Sequence, residues 1–183
     1  MKRLVIAMVL AVLWTAAASL AAEHVYIKRE QVLSRFFASS ERVDYARLTL
    51  TDAQTRAFSG ALGYTAPRKE FVVYFGKTGG TIDGYAVIDN ELGKFEPITF
   101  AVLARPDGSI GDVAVMVYRE EIGHEVKEES YLKQYRGKKF SDPLRTGRDL
   151  DGITGATISC HSIAKGVKRA LWVVQTYRET AKE

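Results

Sequence analysis

The sequence predicts an α+β fold in which a mostly antiparallel sheet is packed by helices. Three observations carry this expectation: two successive strand–turn–strand patterns fill the middle of the chain, helical patterns precede them, and a long amphipathic helix follows. The chain has 183 residues, is 46% apolar and 26% charged, and holds 15 Gly and 4 Pro. Those proportions suit one globular domain and exclude disordered, collagen-like and low-complexity classes. One cysteine excludes an internal disulfide framework and any multi-cysteine metal site.

At the start, Lys2 and Arg3 precede an uncharged run from Leu4 to Ala22 that closes on small residues at Ser19, Ala21 and Ala22. Positive residues, an apolar core and a small-x-small end are the order of a secretory signal, here residues 1–21, with the mature domain at 22–183. The run is also close to the length of an uncleaved membrane anchor. Both readings put everything from Glu23 onward outside the cytoplasmic membrane, in the periplasm or cell envelope. Cleavage leaves 24 Lys+Arg against 22 Asp+Glu, a balance that makes no case for a nucleic-acid partner.

Ile27 to Phe37 places Val32, Leu33, Phe36 and Phe37 on one helical face and reads as a short amphipathic helix. Val43 to Leu50 is β-leaning. Thr51, three residues before Gln54, has capping-box spacing and opens a helix that stops near Gly60 or Gly63. Phe71–Phe75 and Ile82–Ile88, separated by a glycine-rich turn at Gly76 to Gly80, form one hairpin; Ile98–Ala104 and Ile110–Tyr118, separated by Pro106-Asp107-Gly108, form a second. Ser130 to Arg136 makes a short helix ended by Gly137. From Ile158 to about Arg178, Ile163, Val167, Ala170, Leu171, Val174 and Tyr177 share one stripe that the Lys and Arg side chains avoid, so a helix of about 20 residues packs on the sheet.

Immediately before that helix stands Asp151-Gly152-Ile153-Thr154-Gly155-Ala156-Thr157-Ile158-Ser159. The segment resembles the flavin-attachment motif, Asp-x-x-[Ser/Thr]-Gly-Ala-Thr, of the FMN-binding domain in subunits of the Na+-pumping NADH:quinone reductase and the Rnf complex. Every fixed position is present, a match expected by chance in about one of a few thousand chains of this length. The likeness extends more weakly to Tyr118-Arg119-Glu120-Glu121-Ile122-Gly123, where Ile122 replaces a common proline, and to Gln134-Tyr135-Arg136-Gly137-Lys138. The resemblance implies FMN held covalently as a phosphoester on Thr157 and attached by a dedicated flavin transferase, with Asp151, Thr154, Gly155 and Ala156 as the recognition frame. Glu120 and Gly123 match a segment near the flavin, and Ile158 and Ser159 complete the candidate cofactor-binding set.

The residues make physical sense of that chemistry. A helix N-terminus carries unpaired N–H groups and the positive end of the helix dipole, which favour an anionic phosphodiester. Gly155 and Ala156 keep bulk away from Thr157, whose hydroxyl supplies the ester oxygen. An ordinary glycine turn followed by a cap from Thr154 or Thr157 would leave the same residues in place without a flavin; with the flavin on Thr157, the cap is expected from Thr154 or Asp151.

Other candidates carry less. Cys160 and His161 are adjacent, so on a helix they diverge by about 100° and cannot converge on one ion; Cys160 is expected to be a small, partly buried residue near the flavin phosphate. Glu120, Glu121, Glu125, Glu128 and Glu129 with His124 read mostly as a solvated charge run, and Phe71, Tyr74 and Phe75 as core. Lys138, Lys139 and Arg145 are candidates for the phosphate or for plain surface. His24, His124 and His161 are scattered and form no triad motif, so no catalytic residue is assigned. The expected function is an exported carrier that relays electrons between membrane or envelope redox proteins. The alternatives are a flavin-dependent reductase acting directly on a small acceptor and a flavin-free binding module.

Overall fold

Alternating side chains and tight turns build a sheet whose strands follow one another in chain order. The computed structural model describes residues 25–181, and the expected signal or anchor lies outside them. Helix α1 (Arg29–Phe36) leads to β1 (Arg42–Thr49), α2 (Asp52–Leu62), β2 (Glu70–Thr78), β3 (Thr81–Leu92), β4 (Pro97–Ala104) and β5 (Ile110–Val117). Short helical turns at His124–Lys127, α3 (Glu129–Leu132) and Lys133–Tyr135 then lead through irregular chain to α4 (Thr157–Thr180). The five strands lie in the order β1-β2-β3-β4-β5 and every neighbouring pair is antiparallel. The α+β expectation is borne out, and β1 joins as a fifth strand. Among the described residues no helix is long and apolar enough to cross a membrane.

The Thr51 box forms as its spacing demands: Gln54 N–H donates to Thr51 Oγ1 (3.2 Å) and Thr51 N–H donates to Gln54 Oε1 (2.9 Å). The first hairpin turn is tighter than expected. It is confined to Gly79 and Gly80, while Gly76 stays in β2 opposite Gly84. Gly76 serves close packing instead, since a Cβ there would collide with Phe37 and Ser40 beyond the end of α1.

Alternation gives the sheet two unlike faces. One carries Phe71, Val73, Val87, Phe100 and Val102, on which α4 lays Ile163, Val167, Ala170 and Val174. The other places the small residues Ala86, Ala101 and Ala114 with Met116 under Val32 and Phe36 of α1. Gly166 lets the Phe100 ring approach the axis of α4, where any side chain would collide with it.

A charged clasp fixes the register of α4 on β3. Arg169, 1% exposed, donates from Nε to Asp89 Oδ2 (2.7 Å), from Nη2 to the Asn90 carbonyl (2.7 Å) and from Nη1 to Glu91. Burial opposes its charge, but Asp89 and Glu91 outweigh it and hold the guanidinium above its usual pKa. Arg68 bonds the other Asp89 oxygen (2.6 Å) and Lys165 the other Glu91 oxygen (2.9 Å). About two turns from Arg169 towards the helix start, Ser162 Oγ donates to the Leu92 carbonyl (2.5 Å). The end of β3, and the turn at 93–96 that follows it, are thereby moored to the N-terminal half of α4.

Candidate functional site

The irregular segment before α4 is ordered by a few polar anchors. Asp149 accepts the N–H groups of Leu144 (3.2 Å) and Arg145 (2.8 Å) and pairs with Lys138 (3.2 Å). Burial works against its charge, yet these donors hold its carboxyl below the usual range. Asp151 N–H donates to Gln134 Oε1 (2.6 Å), joining the motif to the Gln134–Lys138 segment. Gly155 then turns the chain into α4 with φ +84°, a left-handed conformation that favours glycine.

Neither Thr154 nor Asp151 caps the helix, contrary to expectation. The cap position falls on Ala156, which has no side-chain acceptor, and Ala156 N–H instead reaches back to the Ile153 carbonyl (3.0 Å). The glycine turn inserts two residues between Thr154 and the first helical position, which carries its hydroxyl past the helix end. The first-turn N–H groups of Thr157, Ile158 and Ser159 therefore have neither an intrahelical acceptor nor a side-chain cap.

These groups border a cavity of about 850 Å³. Three segments wall it: Gly155 to Ser159, Arg119 to Ile122 at the end of β5, and Lys94 to Glu96 between β3 and β4. Of the sequence-predicted residues, the fold brings together Thr157, Gly155, Ala156, Ile158, Ser159 and Glu120. Thr157 is exposed as the first residue of α4. Gly123 lies directly behind, where a Cβ would meet Ala156 Cβ at 2.5 Å and Tyr118 Oη at 2.9 Å, and its φ of +86° also suits only glycine well. Asp151 and Thr154 are exposed and stand outside the cavity wall.

Sequence reasoning missed Lys94, Phe95, Glu96 and Ile122 as parts of this wall. Phe95 and Ile122 are 70% and 71% exposed, and Ile158 is 48% exposed. A bulky aromatic within Gly93-Lys94-Phe95-Glu96-Pro97, a turn that needs none, is the signal that could have drawn attention there.

Tyr118 links two of the walls. Its phenol donates to the Ile122 carbonyl (2.7 Å), so the 3.0 Å contact with Ser159 Oγ is donated by the serine hydroxyl. Burial pushes the phenol above its usual pKa, the Ser159 bond pulls it down in part, and nearby Glu120 adds to the rise. Tyr118 thus stays neutral, donating to the 119–123 segment and accepting from the first turn of α4. Glu120, 8% exposed, links the third wall: its Oε1 accepts the N–H groups of Phe95 (2.8 Å) and Glu96 (3.2 Å).

Cys160 is more enclosed than expected, fully buried where Tyr131 and Tyr135 pack, while His161 is exposed. Among the described residues no three His, Cys, Asp or Glu side chains are placed to share a metal ion. Lys138 and Lys139 pair with Asp149 and Asp107 and do not line the cavity, nor does Arg145. Phe71 and Phe75 are core, as expected.

Residues 63–172 match the FMN-binding domain family. The chain belongs to that family. Over 112 residues it is 29% identical to one component of the proton-translocating ferredoxin:NAD(+) oxidoreductase complex of Clostridium ljungdahlii, a match covering 57% of this chain and 60% of that one. Its fold is similar to Shewanella oneidensis NqrC, with a TM-score of 0.55 at 18% identity over 81% of this chain and 87% of that one. It is also similar to the corresponding component of the Na(+)-translocating NADH-quinone reductase of Parabacteroides distasonis, with a TM-score of 0.52 at 14% identity over 84% and 85% of the two chains.

The geometry of this FMN-binding domain suits the cofactor. The cavity falls in the size range of small-molecule sites, roughly 300–1,000 Å³. Its border combines an uncapped helix N-terminus for a phosphate, an exposed hydroxyl beside it, and apolar side chains further along the wall.

Proposed function

We propose that this FMN-binding domain carries its flavin covalently, as a phosphoester on the Thr157 hydroxyl, and relays electrons between membrane-linked redox proteins outside the cytoplasm. One observation carries the reading: Thr157, the last residue of the Asp151–Thr157 motif, is exposed at the uncapped start of α4 and on the border of the cavity. The bound FMN supplies one- and two-electron transfer through its isoalloxazine ring. The chain's own residues bind and orient it. Thr157 provides the ester oxygen, the first-turn N–H groups of α4 and its dipole favour the phosphate, and Gly155 and Ala156 leave room for it and for a flavin transferase. Tyr118, bonded to Ile122 and Ser159, keeps the helix start and the 119–123 wall together.

Residues 1–21 serve as the export signal or anchor and residues 22–183 as the flavin domain. The named role of the Clostridium relative, as part of a ferredoxin:NAD(+) oxidoreductase complex, supports a place beside membrane redox partners. The test is mass spectrometry of the chain made in a host with an active flavin transferase, beside Thr157→Val. The expected result is a gain of one FMN less one water on the peptide spanning Asp151 to Lys165, absent from the variant. An unmodified wild-type peptide, with a control substrate modified, would overturn the proposal.

A further inference from the structure

We infer that Glu120 is a positioning residue, which acts through the 93–96 turn to hold Phe95 as an apolar wall over the ring portion of the flavin; this rests on the proposed flavin site. Three observations converge on that assignment. First, the Glu120 carboxylate is spent inside the protein: a single oxygen, Oε1, accepts both the Phe95 and the Glu96 N–H groups at 2.8 and 3.2 Å. Second, the turn is shaped around that oxygen. A Cβ on Gly93 would come within 2.5 Å of Glu120 Oε1, so only glycine lets the carboxylate reach the turn, which is closed by Gly93 N–H donating to the Glu96 carbonyl (2.8 Å). Third, the side chain presented by this turn is a phenylalanine left 70% exposed at the border of the cavity, where Ile122 is equally exposed.

A buried carboxylate holding two backbone donors costs desolvation that a surface turn does not require, and an exposed aromatic costs apolar hydration. Both costs are accounted for when a flat, largely apolar ring system lies against Phe95. The phosphate end is provided for at the start of α4, and the turn borders the same cavity as the 119–122 segment, to which Glu120 bonds it and which Tyr118 ties to that helix. Glu120 thus does for the apolar wall what Tyr118 does for the phosphate end.

Because both bonds end on one oxygen, a glutamine amide oxygen can accept them, whereas alanine cannot. In the full chain without flavin, Glu120→Ala should speed hydrogen exchange at the Phe95 and Glu96 amides by about tenfold, the scale of losing bonds to a charged acceptor, and Glu120→Gln should restore it to within about threefold of wild type. In the FMN-loaded chain, Glu120→Ala and Phe95→Ser should each raise iodide quenching of flavin fluorescence about twofold, and the double variant no further than either, because they remove one wall. Phe95→Ser changes an exposed side chain and leaves the fold intact. Unchanged exchange in Glu120→Ala, no rescue by glutamine, or unchanged quenching in Phe95→Ser would each overturn the inference. A chain that takes no FMN in any variant while a control substrate is loaded would overturn the proposed function and Phe95's role with it; the exchange rates would still decide whether Glu120 holds the turn.

Discussion

The first turn of α4 and the middle of the same helix are built on opposite terms. Around Arg169 the guanidinium and the Asp89 carboxylate are buried and paired, and the helix face from Ile163 to Val174 lies in the core. At Thr157 the helix begins without a side-chain cap, with Thr157 itself exposed and Ile158 beside it 48% exposed. One rigid element thus carries a strongly held body and an unsatisfied end, and the first makes the second possible. A helix start left uncapped would fray if propagation alone held it, but tertiary packing of the body supplies the stability.

The contrast predicts where substitutions hurt. Arg169→Met takes the buried guanidinium from Asp89 and Glu91, which keep Arg68 and Lys165 as their more exposed partners, and should cost about 1.5–3 kcal/mol, the scale of hydrogen bonds to charged groups, read as a lower urea midpoint at unchanged slope. Alkaline pH should weaken the core on which α4 lies, to which Tyr131 and Tyr135 belong. Burial holds Tyr131 and Tyr135 well above their usual value of 10.0, so their native-state preference for the proton is fully present below pH 10. Above it the unfolded chain releases protons that the native state keeps, and stability should fall by about 1.4 kcal/mol per phenol per pH unit. Denaturant titrations at pH 9 and 11 check this, and Tyr135→Phe should reduce the drop by one phenol's share.

At the helix start the effects shrink. Ser159→Ala removes the hydroxyl that bonds Tyr118 and should cost about 1 kcal/mol in thermal unfolding. Thr157→Val should change stability by no more than about 0.5 kcal/mol while abolishing the flavin mass increment. A large destabilisation from Thr157→Val would show that the first turn and the middle of α4 are not built differently, and would return Thr157 to a structural role.

Much of the fold is legible without coordinates because it rests on short-range rules. The Thr51–Gln54 spacing becomes a formed capping box, the Pro106-Asp107-Gly108 turn becomes a hairpin connection, and the stripe from Ile163 to Tyr177 becomes the buried face of α4. The motif at Asp151–Thr157 is legible for a related reason. Its residues are contiguous, and a glycine, a small residue and a hydroxyl at a helix start have the same meaning wherever they occur. Local reading fails where two local rules compete. Thr154 has the chemistry of a cap, but the left-handed Gly155 moves the helix start beyond its reach.

The sequence alone therefore settles the element types, the antiparallel hairpins and the family, since periodicity, turn chemistry and a contiguous motif act over a few residues. Only the tertiary structure decides that Phe95 and Ile122 border the cavity that Thr157 enters. Those residues come from three segments up to 62 positions apart, Phe95 to Thr157. They meet because the clasp at Arg169 and the Ser162–Leu92 bond set how far along α4 the end of β3 lies, a register that no local pattern encodes.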